Sequence, residues 1–312
     1  MTPAEQLERY LKKCAARGGC GEKTIQNYRI NLSTFLKWWE NDLSELTEDD
    51  IDDYIFYLQD LSTINPTTLN NKLRDLRTFL IFAHSKNWSP KIKITLLNVQ
   101  EPEIIPLSGE QLREIYDACM MRKTLDRVRD YTIMRLFEET GIRLSECLSL
   151  KIENIDMRRG LIRLGHTKNK KAREAYFTPD MRREMNLYLE ARQSFLTSQG
   201  IKPNNHVWIV TKGPNVGQSV APSTVQERIR KYGRLAGISI RVSPHTFRHT
   251  FARNFLMAGG DIFTLQELLG HSTLDMVRRY VRLFGRDRQS NYLKTMKNHQ
   301  QSQKRKQKSQ YP

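Results

Sequence analysis

The sequence predicts a mainly α-helical protein with a small β-sheet, divided into two domains. Its 312 residues are enough for two domains that each bury a core of their own. Apolar residues recur at helical spacing through most of the chain. A segment at 89–106 (SPKIKITLLNVQEPEIIP) interrupts that pattern with three prolines, and a short segment at 160–178 is typical of two strands joined by a turn.

The first domain, residues 1–90, is expected to be a bundle of four or five helices. Helical spacing of apolar residues predicts helices over 3–17 and 24–40. Thr47 and Asn65 are interpreted as the N-caps of two further helices, because both side chains carry an oxygen that accepts from a free helical N–H. Nothing in this part of the sequence predicts a strand.

A linker at 91–106 is expected to lead into the second domain at 107–299. Residues 300–312 are polar and basic, and we expect this tail to be disordered.

The second domain is predicted to mix helices with a few strands. A capping box at Ser108 begins one helix, and another is predicted over 124–139. Residues 160–178 contain LIRLG, then the basic run HTKNKKAR, then EAYFT, which indicates a β-hairpin. HVWIV at 206–210 is a candidate for a further strand. Later helices are predicted at 223–236, 245–258, 261–270 and 272–283.

The net charge of +17 is concentrated in the second part of the chain. Residues 1–102 hold 13 Lys and Arg against 14 Asp and Glu, a net charge of −1. The remaining 210 residues hold 38 against 20, a net charge of +18. A positive surplus confined to one domain is typical of a protein that binds a phosphate backbone.

Composition also predicts where the protein works. No apolar run approaches the length needed to span a membrane, and the N-terminus lacks the apolar core of a signal peptide. The four cysteines form no C-x-x-C pair and have no clustered histidine partner. We therefore expect reduced thiols in a cytoplasmic protein, with neither a zinc site nor a disulfide framework.

Six polar residues interrupt the apolar patterns of the second domain in a fixed order. An arginine stands in TGIRLSECLSL, with a glutamate three residues later, and a lysine follows in the basic turn HTKNKKAR. PHTFR then supplies a histidine and an arginine, LLGH a histidine, and RRYVRL a tyrosine. These six candidate catalytic residues are Arg143, Lys168, His245, Arg248, His271 and Tyr280.

This ordered set resembles the tyrosine recombinase (phage integrase) family. The similarity covers residues 107–285 and consists of R-x-x-E, the hairpin lysine, H-x-x-R, L-G-H, and a tyrosine nine positions after that last histidine. Single elements of this kind occur in many proteins, whereas all of them in order on a basic domain are specific. The resemblance implies a helical, SAM-like core-binding domain followed by an α+β catalytic domain.

The resemblance also implies a reaction. Tyr280 attacks a DNA phosphodiester, so that the DNA is joined to the protein through a 3′-phosphotyrosine and a 5′-hydroxyl leaves. Lys168 protonates the leaving oxygen as a general acid. The energy of the broken bond is kept in the covalent link, so rejoining needs no ATP.

The other residues suit the charge of that reaction's transition state. Arg143 and Arg248 clamp the non-bridging phosphate oxygens, because a planar guanidinium matches phosphate and stays charged. His245 and His271 add hydrogen bonds, and His245 is the candidate for handling the proton of the attacking tyrosine. Glu146 is expected to orient its neighbours.

Two assignments leave alternatives open. Lys170 and Lys171 stand beside Lys168; we choose Lys168 because, in the family's pattern, an arginine lies five residues after the active lysine, and Arg173 fits. His249 is placed about 100° round the helix from the His245 and Arg248 pair, so it is interpreted as structural or as a contact to the DNA backbone.

The implied partner is double-stranded DNA with specific recombination sites, bound by two monomers per core site and by a tetramer in the synapse. The implied reaction requires no cofactor and no metal. RRYVRL and the basic tail favour an integrase of a mobile element, and the alternative in the family is a Xer-type resolvase of chromosome or plasmid dimers.

Two other classes of protein remain as alternatives. A type IB topoisomerase shares the catalytic residue types, but the length, the helical first domain and L-G-H favour a recombinase. A non-catalytic DNA-binding protein would have no reason to retain all six residues. Metal-dependent transposition has no ordered acidic triad to support it.

Overall fold

A computed structural model describes residues 1–16, 20–61, 64–99, 103–165, 173–270, 280 and 296 of the chain. The chain divides into two compact units, Met1–Pro102 and Glu103–Pro312. Lys168, His271 and the tail at 300–312 lie outside the described residues. Of the helix predicted at 272–283, Tyr280 alone lies within them.

All secondary structure in the described residues of the first unit is helical, as predicted. Its α-helices are α1 (Pro3–Ala16), α2 (Glu22–Trp38), α3 (Glu48–Asp60) and α4 (Pro66–His84), with a short 3-10 helix at Leu43–Glu45. Each α-helix contributes leucine and aromatic side chains to one core, in which the most fully buried include Leu11, Leu32, Phe35, Tyr54 and Phe79.

Local capping explains where the first unit's helices begin. Thr47 and Asp50 form a capping box, in which the Thr47 hydroxyl oxygen accepts from the Asp50 N–H and the Asp50 carboxylate accepts from the Thr47 N–H. Asn65 Oδ1 accepts from the N–H of Thr68 at 2.8 Å, which confirms the predicted cap of α4.

The segment after α4 packs against the first unit. Ile94 is buried, and the side chain of Asn70 makes hydrogen bonds of 2.9 Å to both the N–H and the carbonyl of Leu97. On the other side of the boundary, the Leu107 N–H donates to Thr250 in the second unit at 2.9 Å. The part of the predicted linker around Leu97 is therefore held against the first unit by a side chain that satisfies its backbone groups.

The second unit combines helices with a small antiparallel sheet, which confirms the predicted fold class. Its strands lie in the order β1 (Ile155–Asp156), β2 (Leu161–Leu164), β3 (Arg173–Tyr176), and Leu164 pairs with Arg173 at the end of the β2–β3 hairpin where the connecting segment begins and ends. The helices are α5 (Gly109–Met120), α6 (Leu125–Thr140), α7 (Leu144–Leu148), α8 (Pro179–Ser198), α9 (Pro222–Leu235), α10 (Pro244–Met257) and α11 (Ile262–Leu269).

In this unit the structure differs from the sequence-based expectations at α8 and at residues 206–210, besides the unpredicted short elements α7 and β1. Helix α8 was not predicted, because its buried face is a narrow row within a highly charged segment: Met181, Met185, Tyr188, Arg192 and Leu196. The candidate strand at 206–210 is wrong. Its apolar residues are buried, but they pair with the chain through isolated bridges and turn-like hydrogen bonds rather than through the sheet.

Helix α6 is central to the second unit, since it packs against both α8 and α10. Its last residue, Thr140, is followed by Gly141 in the left-handed conformation with φ of 59°, which ends the helix and turns the chain into Arg143. A side chain at Gly141 would overlap Phe251 of α10. The end of α6 is thereby brought against the helix that carries the H-x-x-R motif.

None of the described helices combines the length and the hydropathy that crossing a membrane requires.

Candidate active site

Arg143 is positioned by the turn between α6 and α7. It is the N-cap of α7, and its N–H donates to Glu146 Oε2 at 2.9 Å, which closes the first turn of that helix. Its guanidinium donates to Glu146 Oε1 at 2.8 Å and to the carbonyl of Gly270 at 2.7 Å. A third of the Arg143 side chain stays exposed (33%), so it is accessible to a ligand.

Glu146 joins two arginines. Its Oε2 also lies 2.5 Å from Nη2 of Arg173, the first residue of β3. Burial by itself would raise the pKa of Glu146, but the charge of Arg173 and the hydrogen bonds from Arg143 outweigh it and lower that pKa. Glu146 is therefore an ionised carboxylate that orients Arg143, as the sequence analysis expected of it.

Arg248 lies on α10 and is 5% exposed. Its guanidinium donates to the carbonyls of Gly141 and Leu269, so it connects the end of α6 to the end of α11. Burial, together with the positive charges of Arg143 and Arg173, lowers the pKa of Arg248 to about 9. A buried guanidinium among like charges is electrostatically unfavourable. A bound oxoanion would offset the repulsion between these charges.

The three arginines meet at the C-terminal end of α11. Arg173 donates to the carbonyl of Leu268, Arg248 to that of Leu269 and Arg143 to that of Gly270. A helix C-terminus carries a partial negative charge and unpaired carbonyls, so cations are stabilised there. Three arginines from three different elements thus hold the residues that precede the L-G-H histidine.

His245 lies near Arg248 and Arg143, in the first turn of α10. Ser243 caps that helix, its oxygen 3.3 Å from the N–H of Thr246, and His245 lies one turn before Arg248. His245 is exposed at the protein surface. Desolvation by the protein around it, and the charges of Arg248 and Arg143, lower its pKa, so the imidazole is neutral at neutral pH.

Tyr280 is buried, with 4% of its surface exposed, in a small apolar cluster to which α10 and α11 contribute. The buried members of that cluster are Ile104, Phe251, Ala252, Leu265, Leu269 and Tyr280. Its hydroxyl lies 2.7 Å from Nδ1 of His249. The phenol is also close enough to Arg248 for its ionised form to raise the pKa of that arginine. Tyr280 therefore lies beside the arginine cluster.

The structure brings together four of the six residues predicted from the sequence: Arg143, His245, Arg248 and Tyr280. Lys168 and His271 lie outside the described residues. Lys168 belongs to the connection between β2 and β3, and Arg173 at the end of that connection is part of the cluster.

His249 was not predicted to contact Tyr280. Its interpretation as structural or as a DNA contact measured the helix angle from Arg248, whereas its i, i+4 spacing places it only about 40° from His245. That spacing was the signal for a second imidazole on the same side of α10 as His245.

The described residues include no group of three or more His, Cys, Asp and Glu side chains that could hold a metal ion. Charge in the cluster is dominated by Arg143, Arg173 and Arg248 against the single carboxylate of Glu146. Such a cluster is suited to bind a phosphate and to stabilise added negative charge on its oxygens.

Comparison with known proteins identifies both parts of the chain. The sequence profile of the phage integrase family matches residues 106–286, and that of the phage integrase N-terminal SAM-like domain matches residues 7–88. The chain is 29% identical over 288 residues to a tyrosine recombinase of Agathobacter rectalis, a match covering 88% of this chain and 90% of that protein. It is 27% identical to tyrosine recombinase XerC of Thermodesulfovibrio yellowstonii, with coverage of 88% and 90%.

The fold is similar to that of the Tn1549 transposon integrase, solved in complex with transposon right end DNA. The TM-score is 0.70 at 17% identity, and the match covers 90% of this chain and 94% of that chain. A similarity at this level of identity supports the fold alone, a SAM-like helical domain followed by a mixed catalytic domain. The profile matches speak for the family, because the larger one spans more than half of the chain. The chain belongs to the phage integrase family of tyrosine recombinases.

Proposed function

We propose that this chain is a site-specific recombinase that cleaves and rejoins double-stranded DNA through a 3′-phosphotyrosine bond at Tyr280. The phenol oxygen attacks the scissile phosphorus, the bond from phosphorus to the 5′-oxygen breaks, and a 5′-hydroxyl is released. Attack by a 5′-hydroxyl on the phosphotyrosine reverses these steps and joins the strands. The exchange conserves one phosphate ester bond, so it requires neither ATP nor a cofactor.

The observation that carries the proposal is the position of Tyr280 beside a cluster of three arginines, of which Arg248 is buried and Arg143 is partly exposed. Arg143 and Arg248 are held by carbonyls and by Glu146, so their orientation is set before DNA binds. Preorganised donors stabilise the extra negative charge of a phosphorane without reorganising during the reaction. His245, neutral and exposed in the first turn of α10, is placed to hydrogen-bond the same phosphate.

Lys168 and His271 complete the proposed site on the strength of the family's motifs. Lys168 protonates the departing 5′-oxygen, and His271 adds a hydrogen bond to the phosphate. Both DNA-contacting parts of the chain serve this reaction: a core-binding domain at 1–90 and a catalytic domain at 107–299, connected by 91–106.

We further propose that the recombinase works in the cytoplasm as a tetramer on its DNA sites and integrates or excises a mobile element. RRYVRL around Tyr280 and the basic tail support this role, whereas the similarity to XerC supports resolution of chromosome or plasmid dimers. Sequencing the DNA that flanks the gene distinguishes them. Repeats of an attachment site beside the gene would support the mobile-element role. If such repeats are absent and the protein recombines a chromosomal dimer site, the result would support the resolution of dimers.

The catalytic proposal is tested with a nicked suicide duplex, in which the cleaved strand diffuses away and the covalent complex accumulates. Wild-type protein is expected to form a complex that survives denaturation, equally with and without EDTA. Tyr280→Phe is expected to bind the same duplex but to form no complex, because only the attacking oxygen is removed. A covalent complex with Tyr280→Phe, or loss of wild-type cleavage in EDTA, would contradict the proposal.

A further inference from the structure

The hydroxyl of Tyr280 is in contact with a histidine outside the six-residue motif. Nδ1 of His249 lies 2.7 Å from that hydroxyl oxygen, and the two rings are 5.6 Å apart between centroids with a tilt of 52°. His249 directly follows Arg248 on α10, so the arginine and this imidazole reach the phenol from adjacent positions of one helix.

The surroundings of the phenol make this contact consequential. Tyr280 is buried among apolar side chains, where a hydroxyl without a partner would cost free energy. Arg248 is close, but a guanidinium carries no acceptor and cannot take a proton. An imidazole can do so, because its ordinary pKa lies near neutral pH and its unprotonated nitrogen accepts a hydrogen bond.

We propose that His249 is the general base that removes the hydroxyl proton of Tyr280, an inference that rests on the proposed recombinase function. As the bond from the Tyr280 oxygen to phosphorus forms and the bond to the 5′-oxygen breaks, the phenolic proton passes to Nδ1. The leaving oxygen takes its proton from the general acid, Lys168. During rejoining, the 5′-hydroxyl gives its proton back to Lys168, and Nδ1 returns its proton to the phenol.

This assignment gives the role of proton acceptor to His249 and not to His245, which was the candidate from the sequence. His245 is exposed in the first turn of α10, and in the described part of the chain no hydrogen bond joins it to Tyr280. The positive charges of Arg143 and Arg248 favour its neutral form, which suits a hydrogen bond to phosphate. The two imidazoles therefore have separate roles: His245 hydrogen-bonds the phosphate, and His249 removes the proton of the nucleophile.

A structural role for His249 predicts a different response to substitution. His249→Asn places an amide near the position of Nδ1, so it keeps a hydrogen bond to the phenol but cannot accept a proton. If the histidine only holds the tyrosine, the asparagine variant should cleave like the wild type. If the histidine is the base, His249→Asn and His249→Ala should both cleave the suicide duplex about 100-fold more slowly.

Chemical rescue separates proton removal from misplacement of the tyrosine. We would replace Tyr280 with 2,3-difluorotyrosine, whose phenol has a lower pKa and needs less help from a base. In the full-length His249→Asn protein, this replacement is expected to restore cleavage at least ten-fold, whereas in the wild type it should change the rate little. Binding of an uncleaved half-site, measured in parallel, should be the same for all variants.

Two results would overturn the inference: wild-type cleavage by His249→Asn, or a defect that difluorotyrosine does not relieve. Tyr280→Phe in the same assay keeps this inference separate from the proposed function. If Tyr280→Phe is inactive while His249→Asn is fully active, His249 is not the base and the recombinase mechanism stands. If Tyr280→Phe still forms a covalent complex, the nucleophile itself is misassigned.

Discussion

Glu146 and Arg173 form a buried ion pair, with 2.5 Å between Oε2 and Nη2 and with 7% and 9% of their side chains exposed. The two residues are 27 positions apart, on α7 and at the start of β3. Glu146 uses its other oxygen for Arg143, so one carboxylate ties the hairpin that contains Lys168 to the arginine expected at the phosphate. Through Glu146, this ion pair connects the start of β3 to Arg143.

Glu146→Gln is expected to destabilise the protein by about 3 kcal/mol, because it leaves two neighbouring guanidinium groups without their counter-charge. Urea unfolding monitored by tryptophan fluorescence measures the change. The matched control is Asp180→Asn, which removes a carboxylate from an exposed ion pair with Arg183, where 69% and 71% of the side chains are accessible. That variant should lose less than about 1 kcal/mol, and equal losses in the two proteins would contradict the prediction.

The same pair sets a pH dependence. The pKa of Glu146 is lowered in the folded protein, so its stabilising contribution is complete above the ordinary carboxyl value of 4.5 and is lost as the pH falls through the lower folded value. The difference in unfolding free energy between wild type and Glu146→Gln should therefore be constant from pH 7 to 5 and narrow below 4.5. A difference that stays constant down to pH 3 would show that the carboxylate charge is not its source.

Gly270 is expected to be needed for two reasons: its backbone conformation favours glycine, and a side chain there would displace the neighbouring arginines and so slow cleavage. It has φ of 60°, and a Cβ there would lie 2.8 Å from Cδ of Arg173 and 3.3 Å from Nη1 of Arg143. Gly237, with φ of 71° and nothing within 4 Å of a Cβ, is the control. Alanine at either position should cost about 1 kcal/mol of stability from strain, whereas only Gly270→Ala should slow suicide-duplex cleavage, by at least ten-fold. Equal cleavage by the two variants would mean that the arginines are not displaced.

The arginine cluster is expected to bind a free oxoanion. Arg143, Arg173 and Arg248 share a single carboxylate, and their mutual repulsion contributes to the lowered pKa of Arg248. Orthovanadate or phosphate should therefore stabilise the folded protein by RT ln(1 + [L]/Kd) and so raise its thermal midpoint, beyond the effect of chloride at equal ionic strength. Arg248→Gln should abolish this increment, whereas Arg159→Gln, an equal loss of charge at an exposed position, should retain it. An increment unchanged in Arg248→Gln would place the anion elsewhere.

Lys168 is expected to be replaceable when the leaving group needs no proton. On DNA with a 5′-bridging phosphorothiolate, a thiolate leaves unprotonated, so Lys168→Ala should regain most of the cleavage that it loses on ordinary DNA. Lys170→Ala and Lys171→Ala should mainly weaken DNA binding, seen as a binding defect that the sulfur substitution does not repair. Rescue of one of these neighbours, with none for Lys168→Ala, would move the general acid along the turn.

Local signals in the sequence were sufficient for much of the fold. The N-caps at Thr47 and Ser108 and the left-handed Gly141 follow from interactions within one turn of the chain, and the structure has helix ends at each of them. Helix α8 was overlooked, since its buried face is narrow within a charged segment. The strand assigned to 206–210 failed because buried apolar residues do not by themselves specify a partner strand.

For the site, the sequence alone determined the family and the residue types, because the order and spacing of the motifs are properties of the chain. Tertiary packing decided which groups touch. Arg143 reaches a carbonyl 127 residues away and Arg173 one 95 residues away, distances over which no local pattern carries information. The partner of the Tyr280 hydroxyl was decided in the same way. Helix α10 carries two imidazoles about 40° apart. Only the packing of Tyr280 against Phe251 and its neighbours places the Tyr280 hydroxyl oxygen beside His249.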